Sequence, residues 1–265
     1  MIVLSLAVSA ALVAAFAAAR LWRDRPPRVH AFSPLGLRDV LAAGVLWLAI
    51  LNVVGRAFHV ASARPEGADG LGVADVAALV VGHALFLAIL IAYLRARYGA
   101  SLSDVGFRRP RAGDVAFGIL VYLASIPGWW LASAVSRAVA GELPVQRSVD
   151  LFRDSTALER SILSLAAVVT APVAEEFLFR GIVFGALRGT VGLGPAVVFS
   201  SILFGLVHSD AAVLPLVWLG AVLAIVYHRT GSLWVATAVH AAHNAAMLLL
   251  ISAVGSPPGA GPAPA

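Results

Sequence analysis

The chain has no cysteine, and every basic residue among its 19 Lys and Arg positions is an arginine. The first absence excludes disulfides, thiolate metal sites and cysteine nucleophiles. Charge is also scarce, at 12% of residues against roughly 25% in soluble domains. Hydrophobic residues make up 60% and mean hydropathy is +0.92, with the apolar residues gathered in long runs. The composition therefore excludes an ordinary water-soluble domain. The net charge of +5 lacks the interleaved arginine and aromatic pattern of a nucleic-acid surface. It reads instead as loop arginine that orients membrane spans, so no nucleic-acid partner is expected. An arginine-only chain rich in Ala, Val and Gly is associated with GC-rich bacterial genomes.

About 20 residues of helix cross a hydrocarbon core of roughly 30 Å. Apolar runs of about this reach fall at 2–19, 40–55, 73–94, 115–136, 161–188, 194–208, 212–228 and 232–252. The expected fold is all-α, a polytopic transmembrane helix bundle of about eight spans. Its parts are four N-terminal spans in 1–138, four catalytic spans in 139–252 and a disordered tail at 253–265. The run 2–19 has no positive segment before it and is followed by Arg20, Arg23, Arg25 and Arg28, which makes it an uncleaved span rather than a signal peptide. Residues 20–38 and 95–114 are the arginine-rich loops. The positive-inside rule places them in the cytoplasm and both termini outside a bacterial cytoplasmic membrane. Residues 61–70 read as a Pro/Gly loop and 145–160 as a short interfacial helix.

Glu175, Glu176 and Arg180 lie in the middle of an apolar run, SILSLAAVVTAPVAEEFLFRGIVFGALRG. Each ionisable residue at mid-membrane is disfavoured by roughly 2.5–3.5 kcal/mol, so such residues usually face a bundle interior or a watery cavity. Glu176 and Arg180 are four apart and can pair on one helix face. Glu175 lies about 100° around the helix and keeps an uncompensated charge. Pro172 should kink the segment. His208 ends a short apolar run, four residues after Phe204, and the last span carries His240, His243 and Asn244. His240 and Asn244 share a face. His83 reads as a structural histidine, and Trp129, Trp130, Trp218 and Trp234 as interface anchors.

Residue types alone leave two chemistries open. Glu175 with His208 can take a proton from water and return it to a leaving amine, while His240 and Asn244 donate to an oxyanion. Alternatively Glu175, His208 and His240 form a two-histidine, one-carboxylate set able to hold a divalent metal such as zinc. No ligand pair sits on one helix as in HExxH, which favours the metal-free scheme. Glu176 and Arg180 are supporting residues in either case. A proton-coupled transporter and a non-catalytic membrane scaffold are the rival classes.

The three segments EEFLFR (175–180), FGLVH (204–208) and HAAHN (240–244) resemble the EExxxR, FxxxH and HxxxN motifs of the CPBP family of intramembrane proteases, the type II CAAX prenyl protease or Abi family. GFRRP at 106–110 is similar to that family as well. The resemblance covers about residues 160–250. It implies an eight-helix bundle with a conical cavity and hydrolysis of a peptide bond in a membrane-associated, even prenylated, protein or peptide. It also implies bacterial relatives that act in bacteriocin self-immunity or envelope proteolysis. On the spans as drawn, His208 lies near the outer end of its helix and Glu175 near mid-depth, so their meeting requires a shifted or re-entrant sixth helix.

Overall fold

The computed structural model describes residues 2–23, 34–61, 72–140, 152–153, 155–208 and 213–254. The described residues are helical apart from short connections, and they form eight helices. α1 spans Ile2–Arg23, α2 Leu37–Ala61, α3 Val73–Tyr98 and α4 Ala112–Ala140. α5 spans Ala157–Val191, α6 Leu193–Leu206, α7 Val213–Thr230 and α8 Leu233–Val254. Six of these contain a segment long and apolar enough to cross a membrane, namely α2, α3, α4, α5, α7 and α8. With α1 and the short, apolar α6 they complete the eight-helix bundle of an integral membrane protein. Most of the observed helices overrun the hydropathy boundaries by a few residues, because interfacial arginines and prolines lower hydropathy before they end a helix, whereas α6 stops two residues short of its run, at Leu206.

Half of the interfacial helix expected at 145–160 lies outside the described residues, at 145–151 and 154, as do the loop at 62–70 and the tail from 255 onward. Residues 253–254 belong to α8. Leu158 falls inside α5, whose start is fixed by a capping box: Thr156 Oγ1 accepts from the Glu159 amide, and Glu159 accepts from the Thr156 amide at 2.8 Å.

The core lies around α5. Phe177, Ile182 and Phe184 of α5, Phe204 of α6, Leu223 of α7 and Leu233 of α8 are all fully buried there. α5 is enclosed by α2, α3, α6, α7 and α8, while α1 packs on α4 and α4 on α7. α6 and α7 approach closely because Gly220 has no side chain. A Cβ there would stand 3.0 Å from the Ser201 backbone. Lipid tails do not drive helices together by hydrophobicity, so small residues that admit close contact take on that role.

GFRRP lies just before α4 and packs against the ends of α7 and α8. Gly106 has φ +100°, and a Cβ would stand 2.5 Å from the Tyr227 hydroxyl. Its carbonyl accepts from the Leu233 amide at 2.8 Å, and the Arg108 carbonyl accepts from Ser232 Oγ at 2.7 Å. The segment thus seats the start of α8 and fixes the depth at which that helix enters.

Candidate active site

α5 is not a uniform α-helix, and its irregularities determine where its acids point. Two π-helical stretches, Ala166–Thr170 and Phe177–Phe184, flank a short α-helical piece, Ala171–Glu176, which carries both glutamates. Proline is the local cause of the first irregularity. The Ala171 amide reaches back five residues to the Ala166 carbonyl. In that register the next amide would bond the Ala167 carbonyl, but residue 172 is a proline and has no N–H. Asn244 of α8 supplies the missing donor, its Nδ2 lying 2.8 Å from the Ala167 oxygen. The expected kink at Pro172 is therefore a widened turn, locked from another helix.

The expected Glu176–Arg180 pair is present, with Arg180 Nη1 3.1 Å from Glu176 Oε1. Their side chains are 0% and 1% exposed. Arg180 Nη2 also donates to the Gly220 carbonyl at 3.1 Å, and its guanidinium lies 4.7 Å from the centre of the Phe204 ring. Arg180 thereby ties α5 to both α6 and α7.

Glu175 stands apart from this pair, with its side chain 13% exposed. Its Oε2 faces His208 Nε2 at 3.7 Å and His240 Nε2 at 3.8 Å. The shortness of α6 makes this possible, because the helix ends at Leu206 and leaves His208 beyond its C-terminus, at the depth of Glu175. The convergence required of the sixth helix is achieved. His208 remains 32% exposed and gives the site an open side.

Both imidazoles are oriented by what their Nδ1 atoms touch. His208 Nδ1 lies 2.7 Å from the Phe204 carbonyl, which can only accept, so Nδ1 carries the proton. His240 Nδ1 lies 2.9 Å from the Arg180-bound carboxylate of Glu176 and donates likewise. In the neutral rings each Nε2 then presents a lone pair toward Glu175. Phe204 packs against both rings, with centroids 4.8 Å from His208 and 5.6 Å from His240. Separations of 3.7 and 3.8 Å are too long for direct hydrogen bonds and suit a bridging water.

Five of the six residues assigned to the site from the sequence meet here in two layers, and the sixth, Asn244, bonds the helix that carries the two acids. Glu175, His208 and His240 Nε2 face the open side, while Glu176 and Arg180 lie beneath, and Asn244 is turned to Ala167. The sequence suggested a conditional metal set of Glu175, His208 and His240. Among the described residues no group of three His, Cys, Asp or Glu side chains is arranged to hold a metal ion.

Some contributors were invisible as site residues. His83 is buried and, as a structural histidine would, stacks on Trp47 and meets Thr170 Oγ1 at 3.0 Å, which braces the first π stretch. His243 turns toward Tyr122, whose hydroxyl lies 3.3 Å from Nδ1, and toward the edge of Trp129. Trp218 Nε1 donates to the Ser125 carbonyl of α4. Trp129 and Trp218 thus link helices, in addition to any anchoring at the interface. Only the aromatic character of α4 hinted at these contacts.

Comparison with known proteins follows the same stretch of chain. The family described as "Type II CAAX prenyl endopeptidase Rce1-like" matches residues 158–246. The "Putative membrane peptidase YdiL" of Bacillus subtilis (strain 168) is 32% identical over 90 residues, which are 34% of this chain and 37% of that protein. The chain therefore spans little more than a third of the length of this curated relative. No solved structure matches at comparable stringency. Residues 158–246, which hold every residue of the site just described, are thus the part of the chain that is similar to the Rce1-like family of type II CAAX prenyl endopeptidases.

Proposed function

We propose that the protein is an intramembrane endopeptidase that hydrolyses a peptide bond of a membrane-associated protein or peptide, with prenylated segments among its candidate substrates. The observation that carries this reading is the approach of one Glu175 oxygen to two imidazole Nε2 atoms at 3.7 and 3.8 Å. A water lodged among them donates one proton to Glu175 and is drawn toward a carbonyl brought in from the open side. Glu175 accepts the proton as the water attacks and hands it to Nε2 of His208, which passes it to the departing amine. His240 enters the cycle with a proton taken from solvent on Nε2, donates it as a hydrogen bond to the oxyanion and keeps it. Asn244 has a second amide N–H beyond the one given to Ala167, and it is the other donor. Glu176 and Arg180 hold His240 in its tautomer and rotamer.

The family match and the membrane peptidase named among the relatives support hydrolysis, and the open side at His208 supports entry of a peptide. The test is cleavage of a panel of prenylated and transmembrane peptides by detergent-purified protein. Wild type is compared with Glu175→Ala and His208→Ala, each with and without a chelator. Loss of cleavage in both variants with no chelator effect supports the water mechanism. Chelator sensitivity replaces it with a metal-dependent one. Equal activity in all three proteins rejects the site, and no cleavage by folded wild type across the panel favours a non-catalytic scaffold.

A further inference from the structure

Away from the catalytic layers, the seam between α1 and α4 holds an open-sided groove of about 480 Å³. It is lined by Ala18, Ala19, Trp22, Arg23, Phe117 and Val121. The groove is apolar except at the end of α1, where Arg23 is exposed. Trp22 joins it to a second feature, because the Arg229 guanidinium of α7 sits 3.1 Å from the centre of the Trp22 ring. Arg229 and Arg188 of α5 both bear electrostatically on the neighbouring His228. His228 is buried, and neither its Nδ1 nor Arg188 Nε has a hydrogen-bond partner. Among the described residues no carboxylate pairs with Arg23 or Arg188. Buried polar atoms without a protein partner are rare in folded proteins and call for a water, an ion or a ligand beside them.

The groove and the cluster fit two ends of one molecule. An apolar channel in a protein bathed in lipid accepts a hydrocarbon chain, and the arginine at its end, Arg23, accepts an anionic head. Basic pockets between transmembrane helices are a recurrent headgroup site. We infer that the α1–α4 groove binds an anionic phospholipid, with an acyl chain along Ala18, Ala19, Phe117 and Val121 and the phosphate beside Arg23 and the Arg188–Arg229 cluster. A zwitterionic lipid fits less well, because its ammonium would be brought against the same arginines. The site is independent of the peptidase reading and stands or falls separately from it.

The test is lipid retention, read by native mass spectrometry of the full chain in a non-ionic detergent with equimolar dioleoyl phosphatidylglycerol and dioleoyl phosphatidylcholine. The expected result is preferential retention of phosphatidylglycerol. Arg23→Gln should weaken it about fivefold, and Arg23→Gln with Arg188→Gln by more than about tenfold, since each surface cation near an anionic headgroup has an effect of that order. Ala19→Trp fills the groove without touching a charge and should lower retention of both lipids. Equal retention of the two lipids by wild type, or unchanged selectivity in Arg23→Gln, overturns the assignment. Displacement of phosphatidylglycerol by millimolar inorganic phosphate, or normal retention by Ala19→Trp, also overturns it, since the groove would then have no role. Thermal unfolding checks that each variant is folded. If the double variant is not, Arg23→Gln alone decides, because that side chain is exposed.

Discussion

His240 Nδ1 lies 2.9 Å from Glu176 Oε1, the same oxygen that meets Arg180 Nη1 at 3.1 Å. One carboxylate therefore serves as the hinge between a buried arginine and the inner imidazole of the site, while the carboxylate next to it in sequence faces outward. The two adjacent acids are chemically alike and physically distinct. Glu176 is enclosed and paired, whereas Glu175 is partly exposed and faces histidine nitrogens at 3.7 and 3.8 Å. Substitutions at the two positions should fail in different ways.

At Glu175 the expected failure is chemical. Glu175→Gln keeps the shape and removes the base, so the cleavage rate should fall by about 10²–10⁴-fold, the usual contribution of a positioned acid–base group. The unfolding temperature in detergent should stay near that of wild type, since no buried pair is broken. Single-turnover cleavage and thermal unfolding, measured on one preparation, check both halves. A large drop in stability would move Glu175 from the chemistry to the scaffold.

At Glu176 and Arg180 the expected failure is structural first. Arg180→Leu strands a buried carboxylate and should destabilise the protein by about 3–5 kcal/mol. Glu176→Leu strands the guanidinium and should do the same. The double variant leaves neither charge unpaired and should recover much of the loss. Its activity should stay low, because His240 then lacks the acceptor that fixes its tautomer. A double-mutant cycle on unfolding, run beside the cleavage assay, separates the two effects.

Much of this arrangement was legible in the sequence, for physical reasons. Charges at mid-membrane are too unfavourable to be incidental, so Glu175, Glu176 and Arg180 declared an interior site before any geometry was known. The four-residue spacing announced the Glu176–Arg180 pair, and the eight helices follow from apolar run lengths. The partners of Asn244 and His240 were not legible. Periodicity assumes 3.6 residues per turn, and α5 departs from it on both sides of the glutamates. A proline inside a span signals a lost hydrogen bond, but not which distant side chain replaces it. His208 was likewise misplaced in depth by the assumption that each run is a full span, whereas α6 stops at Leu206.

The Gly106 turn should be intolerant of any side chain. At φ +100° an L-residue is strained, and an added Cβ would overlap the Tyr227 hydroxyl. Gly106→Ala should therefore destabilise by about 1–3 kcal/mol, the range for overpacking a filled site. It should also shift the start of α8 through the Leu233 amide bond to the Gly106 carbonyl. Tyr227→Phe removes the nearest atom and should relieve part of the effect. Thermal unfolding of the two single variants and the double variant checks this, and simple additivity would count against the contact.

Asn244 offers a separation of structural from chemical roles that the other site residues do not. Its side-chain amide satisfies the Ala167 carbonyl, which has no backbone donor because Pro172 lacks an N–H. Asn244→Ala should therefore leave a buried acceptor unpaired and destabilise by about 1–3 kcal/mol. Pro172→Ala restores a backbone N–H in the right register. Combined with Asn244→Ala, it should recover a good part of that stability without help from α8. Activity gives the second readout. If Asn244 only locks the π turn, the double variant regains cleavage along with stability. If its second N–H also donates to the oxyanion, the double variant refolds yet remains deficient by about 10²–10³-fold, the loss typical of one oxyanion donor. We expect the second outcome, because the proposed mechanism gives the remaining amide proton of Asn244 to the oxyanion.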